Sequence, residues 1–278
     1  MMHGRAILLV LIALIAGCGE AGPPRDDPTV LPPSSLQLEQ VSANPVKHGE
    51  RLAKVLGCTG CHNDELTGND WSEPGYGTLW SANLTRSSQQ WSAAELTQMI
   101  VLGKRPDRAL MEMPSHLFAR LHPDDVAALV AYLGSLEPVG PVHPDATIGP
   151  RLQREIDAGT YRNSAQQVED RRGEAAPDLG PDHAFGRQIV GVTCAECHGI
   201  DLRGKPAPEP GANPRPDLRM VASYAPQDFA RLMRTGMAAG GREVGLMSSA
   251  ARRRYANLTD AEVGAVRAYL TELAERDP

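Results

Sequence analysis

The chain has 278 residues and a formal net charge of −6 without any basic tract, which argues against nucleic acid as a partner. It contains 27 Gly and 23 Pro, so loops are extensive, and because only 4% of its residues are aromatic, something else must help to fill the cores. The length suffices for two small domains or one large one.

The N-terminus predicts an export signal. A basic start at Arg5 precedes an apolar run over residues 6–16, which is short for a membrane span and typical of a signal peptide. The run ends in "IAGC", which resembles the lipobox of bacterial lipoproteins; an ordinary signal peptide with an incidental cysteine is the alternative. The resemblance implies that residues 1–17 are removed, that Cys18 is lipidated, and that the protein is periplasmic and anchored to the membrane by lipid.

Residues 18–44 are rich in Pro and polar residues and predict a flexible tether. The next stretch, "NPVKHGERLAKVLGCTGCH", predicts a helix, and "PDHAFGRQIVGVTCAECH" in the second half predicts its counterpart. Gly49 and Gly186 fall at equivalent places in the two stretches. We expect each glycine to allow a close helix contact.

Each of these stretches ends in Cys-x-x-Cys-His, the attachment signature of c-type haem. Two thiols add to the haem vinyl groups as thioethers, and the two-residue spacing lets both thiols reach from one turn. The following histidine supplies the proximal nitrogen to the iron. We therefore expect two covalently bound haem c groups, held by Cys58, Cys61, Cys194 and Cys197, with His62 and His198 as proximal ligands.

Three other uses of these cysteines are compatible with the motif spacing. A thioredoxin-like redox pair needs a strand before it and a helix after it. A structural zinc site drawing on both pairs leaves the two histidines unexplained. Two disulfides are compatible with an oxidising compartment but would close small, strained loops. Two pentapeptides with similar flanks favour haem, and with Cys18 lipidated no cysteine is left for another role.

The repeat also selects candidate distal ligands. Methionine is a common sixth ligand of iron in electron-transfer haems. Aligning the halves on Arg108 and Arg242 places Met113 opposite Met247, whereas Met111 aligns with a glycine. Met113 lies 51 residues after the first proximal histidine and Met247 lies 49 after the second, and we expect each on a loop that folds over the haem.

Other distal candidates lack a counterpart in the opposite half. Met220, Met233 and Met237 are expected to serve packing instead. His116 and His122 remain alternatives for the first iron, but neither aligns with a histidine in the second half. Methionine ligation at matched positions is therefore the prediction for both sites.

Each half ends in a predicted amphipathic helix. "LTDAEVGAVRAYL" begins with a capping box from Thr259 to Glu262. "HPDDVAALVAYL" has Pro123 at a first helical position. The apolar residues follow the i, i+3, i+4, i+7 stripe, with Val126, Leu129, Val130 and Leu133 in the first helix and Val263, Val266 and Leu270 in the second.

Residues 138–181 separate the halves and predict a linker that wraps one of them, with a short helix in "RLQREIDAGTYR" and loop elsewhere. A basic cluster, "ARRRY", occupies residues 251–255. It is compatible with a solvated face, a haem propionate contact or a docking patch.

Each half resembles a class I c-type cytochrome domain: an N-terminal helix, CxxCH, a distal methionine loop and a C-terminal helix. The first half also resembles cytochrome subunits of periplasmic and membrane dehydrogenases, in "GTLWSANLT", "WSAAELTQMIVLGKRPD" and "MEMPSHLFARLHPDDVAALVAYLGSLEPV"; the second does so in "CHGIDLRG", "PDL" and "RTGMAAGGREVGLMSSAA". Those subunits often carry three haems, whereas this chain has two motifs. The resemblance implies an all-α fold of two tandem cytochrome c domains, residues 45–137 and 182–278, each with a few helices around one haem.

In such domains a backbone carbonyl accepts a hydrogen bond from the proximal histidine ring. By position, Pro74 would serve His62, and Pro208 or Pro210 would serve His198, unless these prolines only stiffen their loops.

The prediction is a dihaem cytochrome that transfers electrons in the periplasm, with His62/Met113 and His198/Met247 as axial pairs. Its partners would be a dehydrogenase or other donor and a downstream cytochrome or oxidase, and it would not itself transform a substrate. It could be a subunit of a complex or a free shuttle. The alternative is a dihaem enzyme, such as a peroxidase or a sulfur-compound oxidase; a gas sensor is a third class.

Overall fold

The structure, a computed structural model, describes residues 32–207 and 211–277. The predicted signal peptide, Cys18 and the first part of the predicted tether lie outside the described residues. The regular elements of the described part are helices apart from one two-stranded hairpin, with loops between them, which agrees with the predicted all-α class. None of its helices combines the length and the apolarity needed to cross a membrane.

The helices fall into a first set, a connecting pair and a second set. The first set is α1 (Pro45–Val55), α2 (Cys58–His62), α3 (Leu84–Ser87), α4 (Ala93–Leu102), α5 (Ser115–Phe118) and α6 (Pro123–Gly134). The connecting pair is α7 (Pro150–Asp157) and α8 (Ser164–Asp170). The second set is α9 (Ala184–Thr193), α10 (Ala195–His198), α11 (Pro226–Thr235), α12 (Leu246–Arg253) and α13 (Asp260–Arg276), with β1 (Met237–Ala238) antiparallel to β2 (Arg242–Glu243). Short 3-10 turns occupy Ser88–Gln90, Pro181–His183, Leu218–Ser223 and Tyr255–Asn257.

Each half is built on a crossing of its first and last helices. Helix α1 packs on α6, and α9 packs on α13. Gly186 makes the second crossing possible, because a β-carbon there would lie 2.2 Å from the Ala265 carbonyl oxygen. Gly49 has the same relationship to Ala128 in the first half. The predicted close helix contacts at both glycines are confirmed.

The starts of the closing helices follow the sequence prediction. The Thr259 side chain accepts from the Glu262 amide, and the Glu262 carboxylate accepts from the Thr259 amide, which completes the capping box. In α6, Pro123 occupies the first turn and His122 Nδ1 accepts from the Asp124 amide. The predicted apolar stripes of both helices are buried in the core. Helix α13 thereby presents one face to α9, and α6 presents one face to α1.

The last part of the predicted flexible tether is ordered against both halves. We call residues 34–39 the strap. Its Leu38 is buried, and the Leu38 amide donates to Asp125 Oδ2 at 3.0 Å. The next amide, of Glu39, donates to Glu262 Oε1 at 2.9 Å. The expectation of a flexible tether over residues 18–44 is wrong for the strap, because an apolar side chain and two backbone donors find buried partners there.

The linker wraps the first half, as expected. The Thr147 amide donates to the Thr78 carbonyl, and the Gly149 amide donates to the Tyr76 carbonyl. The Ser164 amide then donates to the Leu110 carbonyl at 2.9 Å. Helix α7 is the predicted short helix, whereas α8 was expected to be loop. Helix α8 begins with a capping box in which the Asn163 side chain accepts from the backbone amide three residues later.

Candidate haem sites

The two Cys-x-x-Cys-His motifs each form a single helical turn. Cys58 and Cys61 lie in α2, while Cys194 and Cys197 lie at the junction of α9 and α10. Residues three apart lie on the same face of a turn, so each pair presents both thiols on one side. All four thiols are free. This arrangement has the donor set and spacing that a doubly attached haem needs.

The proximal histidines are oriented in the same way in both halves. His62 Nδ1 lies 2.8 Å from the Ala82 carbonyl oxygen, and His198 Nδ1 lies 2.8 Å from the Pro216 carbonyl oxygen. A carbonyl can only accept, so each Nδ1 carries the proton and donates. Each Nε2 therefore keeps the lone pair with which imidazole binds iron.

Burial lowers the pKa of both proximal imidazoles, and the hydrogen bond to the carbonyl opposes this only in part. Both rings are therefore neutral at pH 7, the protonation state of a metal ligand. The rings and thiols present fit a c-type haem at each motif.

The carbonyl acceptors differ from those expected by position. Ala82 serves His62 where Pro74 was expected, and Pro216 serves His198. Pro208 and Pro210, the other expected acceptors, lie outside the described residues. The repeat contained a signal for the observed pair, because "SANL" at 81–84 aligns with "RPDL" at 215–218. Both acceptors directly precede a side-chain cap, Asn83 or Asp217.

A tight loop after each histidine explains why both motifs end in Leu-x-Gly. Gly68 and Gly204 have φ of 93° and 88°, and their amides donate to the carbonyls of His62 and His198 at 2.8 Å. A β-carbon on Gly204 would lie 2.2 Å from the Arg215 carbonyl oxygen. Only glycine accommodates that conformation and that approach together.

The leucine of each Leu-x-Gly has an unusual backbone. Leu66 and Leu202 are non-glycine residues with φ of 58° and 61°, and both are buried. Their carbonyls accept from the amides of Leu84 and Leu218 at 2.8 and 2.9 Å. This bond ties the loop that follows the histidine to the segment that orients its ring. The sequence does not predict this conformation, because leucine has no preference for positive φ.

The repeat-selected methionines occupy matching environments. Met113 and Met247 are half-buried and pack against the core; Met113 lies two residues before α5, and Met247 lies in α12. Met247 is inside the first turn of α12, where a loop was expected. Met111, by contrast, does not pack against the core, and its carbonyl accepts from the Tyr161 hydroxyl. Ligation of iron by Met113 and Met247 stays a prediction.

The other methionines and histidines that were considered as distal ligands differ in burial and in their contacts. Met233 is buried, as expected for packing, whereas Met220 is 46% exposed, contrary to a packing role. Met237 lies in β1. His122 caps α6, and His116 lies within 3.4 Å of an Arg171 nitrogen.

Electrostatics at the cysteines do not favour a redox pair. Burial raises the pKa of the Cys58 thiol to about 11, and the positive charge of Arg254 opposes that rise. Reactive thioredoxin-like cysteines instead have a lowered thiol pKa. The two motifs also do not combine as zinc ligands: over residues 32–207 and 211–277, no cluster of three or more His, Cys, Asp or Glu could hold a metal ion.

The arginines of the basic cluster at 251–255 differ in their exposure and in their ion-pair partners. Arg252 is exposed and pairs with Glu243. Arg254 turns inward, where its side chain is 13% exposed and pairs with Glu196 between the two cysteines of the second motif. A fully solvated face is therefore not what this cluster forms.

Comparison with known proteins agrees with the two sites. The cytochrome c family model matches residues 46–137 and again 183–274. The chain is 24% identical to the fructose dehydrogenase cytochrome subunit of Gluconobacter japonicus, over 95% of this chain and 58% of that protein. It is 26% identical to a protein described as "Diheme cytochrome c-type" from Cereibacter sphaeroides, over 95% of both chains. The chain thus spans little more than half of the first relative.

Two family matches, each centred on one Cys-x-x-Cys-His turn with a carbonyl-oriented histidine, account for the internal repeat. The chain belongs to the cytochrome c family: it is an electron-transfer cytochrome with two tandem cytochrome c domains and two covalently bound haem c groups.

Proposed function

We propose that this chain carries electrons in the periplasm while anchored to a membrane by lipid on Cys18. It takes electrons from a dehydrogenase or another donor and passes them to a downstream cytochrome or oxidase. Each bound haem supplies a one-electron iron couple. The Gluconobacter japonicus relative is described as the cytochrome subunit of a fructose dehydrogenase, which supports a dehydrogenase as donor.

The observation that carries this proposal is the matched pair of sites. In each half, the proximal histidine is fixed through Nδ1, and a half-buried methionine follows about fifty residues later at an equivalent position. His62 with Met113, and His198 with Met247, are the proposed axial pairs. Methionine opposite histidine raises the reduction potential, so both irons suit an electron carrier rather than a site that binds substrate.

The chain's own residues hold the irons ready for transfer. The hydrogen bonds of the two rings to Ala82 and Pro216 would hold each imidazole in place as an iron ligand. The half-buried Met113, just before α5, and Met247, in the first turn of α12, would each supply the second protein ligand to an iron. No proton would have to move for an electron to pass, and each bound haem would exchange electrons by outer-sphere transfer.

The test is a haem count per chain followed by a redox titration monitored by absorbance. Two haems, both low-spin with positive midpoints and unchanged by carbon monoxide, are expected. Carbon monoxide binding at either iron would contradict His/Met ligation at both sites. Turnover of peroxide with a reduced donor would contradict the carrier role and support the dihaem enzyme.

The anchor and the partner are tested separately. Membrane fractions are expected to retain the wild-type chain and to lose the Cys18→Ser variant, which keeps both haem motifs. Co-purification in mild detergent is expected to recover a dehydrogenase with the wild-type protein. Recovery of the chain alone from the same membranes would favour a free shuttle over a subunit of a complex.

A further inference from the structure

Arg254 joins the two haem-attachment turns. Its guanidinium donates to the Leu56 carbonyl at 3.0 Å and also reaches the Val55 carbonyl, both at the end of α1. Its other terminal nitrogen donates to Glu196 Oε2 at 2.7 Å. One side chain thus holds the backbone just before Cys58 and the residue just before Cys197.

The contact on the first turn is close. The guanidinium lies against Gly57, the residue preceding Cys58, where a β-carbon would lie 2.5 Å from Arg254 Cζ. Gly57 has φ of 84°, a conformation that other residues rarely adopt. The chain before the first cysteine is therefore shaped to admit the guanidinium.

The charge of Arg254 reaches both motifs. It acts electrostatically on the thiols of Cys58 and Cys61 in the first motif and on Cys194 and Cys197 in the second. The side chain is 13% exposed, whereas that of Arg252 in the same cluster is 45% exposed. Charges withdrawn from water are screened less, so Arg254 acts more strongly on its surroundings than Arg252 does.

We propose that Arg254 is a positioning residue that couples the two haems. By fixing the two attachment turns to each other, it sets the geometry for electron transfer between the haems inside one chain. Its buried positive charge also raises the reduction potential at both sites, because reduction adds an electron. Glu196 has the opposite effect on the potential while holding Arg254 in place.

The inference rests on the proposed function, since it requires a haem at each motif. In the step itself, one electron leaves the reduced haem, which becomes oxidised, and reaches the oxidised haem, which becomes reduced. No bond forms or breaks and no proton moves.

The experiment compares four full-length variants with the wild type. Arg254→Gln removes both the charge and the forked hydrogen bonds. Arg254→Lys keeps the positive charge but loses the branched set of hydrogen bonds that the guanidinium makes. Glu196→Gln removes the negative charge but leaves the bonds to the carbonyls of Val55 and Leu56. Arg252→Gln is the matched control, because it makes the same charge change two residues away on an exposed side chain.

Two quantities are measured on each protein with its haems attached: the midpoint potentials, by spectroelectrochemical titration, and the rate of electron equilibration after photochemical reduction of one haem. We expect a wild-type rate that is independent of protein concentration. Arg254→Gln should lower both potentials and slow the rate several-fold, and Arg254→Lys should restore the potentials but not the rate. Glu196→Gln should raise both potentials, and Arg252→Gln should change neither quantity.

Some outcomes would overturn the proposal. Equilibration in the wild type that depends on protein concentration would show that electrons pass between molecules instead. If Arg254→Gln and Arg252→Gln had the same midpoint potentials and the same equilibration rate, Arg254 would have no more effect than an exposed surface charge. If Arg254→Gln fails to fold, unchanged potentials in Glu196→Gln would refute the electrostatic claim. The haem count of the wild type is measured before any variant is tested. A count below two haems per chain would refute the proposed function itself.

Discussion

Gly49 in α1 lies so close to Ala128 in α6 that a β-carbon on the glycine would be 2.0 Å from the alanine carbonyl oxygen. The contact is with backbone, which cannot turn aside as a flexible side chain can. We expect Gly49→Ala to lower the free energy of unfolding by about 1–3 kcal/mol, the usual cost of overpacking. Gly186→Ala should do the same in the second half. Urea unfolding followed by circular dichroism measures both.

The control is Gly264→Ala in α13, because a β-carbon there meets no atom within 4 Å. Alanine is the better helix former by about 1 kcal/mol, so this variant should be neutral or more stable than the wild type. Equal destabilisation by all three substitutions would show that the two helix crossings do not depend on close approach.

The second prediction separates the two methionines of the first half. Met113→Ala should open the distal side of the first iron, since Met113 is the predicted sixth ligand there. Absorbance should then show carbon monoxide binding to about half of the haems. Met111→Ala should leave the spectrum unchanged, because the Tyr161 hydroxyl donates to the Met111 backbone carbonyl, which alanine retains. Carbon monoxide binding by Met111→Ala alone would reverse the assignment.

The third prediction concerns the ion pair of Arg51 with Glu262, whose side chains are 10% and 0% exposed. Arg51→Met leaves the buried carboxylate without its cation and should cost about 3–5 kcal/mol of stability. Lys54→Met, which breaks an exposed pair with Glu50 in the same helix, should cost at most about 1 kcal/mol. Chemical unfolding gives both numbers, and equal losses would mean that the buried pair is not a special support.

The fourth prediction is a pH dependence. Burial raises the pKa of Asp125, and the hydrogen bonds from Leu38 and His48 offset this only in part. The folded chain therefore binds this proton more tightly than the unfolded chain, whose pKa is about 3.9. The resulting stability is fully present below that value and is lost as pH rises through the folded-state pKa.

Asp125→Asn should flatten this decline of stability with rising pH, which urea unfolding at a series of pH values would show. Asp124→Asn, at an exposed neighbouring position, should keep the wild-type slope. A slope that is the same in all three proteins would assign the pH dependence to other groups.

Much of this architecture could be predicted because the sequence contains two copies of the same pattern of helices and haem-attachment motif. The motif cysteines and histidines have a fixed spacing, and comparing the halves identified the crossing glycines and the closing helices. The carbonyl acceptors Ala82 and Pro216 could not be identified from residue type, since any residue has a carbonyl. Only the fold decides which carbonyl faces the ring.

The contacts between the halves were the least predictable. Arg254 looks like any surface arginine in a basic cluster, and the strap looks like a polar tether. Both acquire their roles from partners far along the chain, such as Val55 for Arg254, 199 residues away. A sequence pattern within one half does not reveal which of its residues contact the other half.

The strap has a consequence for the order in which the contacts of the folded chain can form during synthesis. Its Glu39 amide needs the Glu262 carboxylate, 223 residues later and in the last helix. One of the first segments to be synthesised thus has to wait for one of the last. Until that helix is made, the Glu39 amide lacks its carboxylate partner, and the strap can join only the first half, through the Leu38 amide and Asp125.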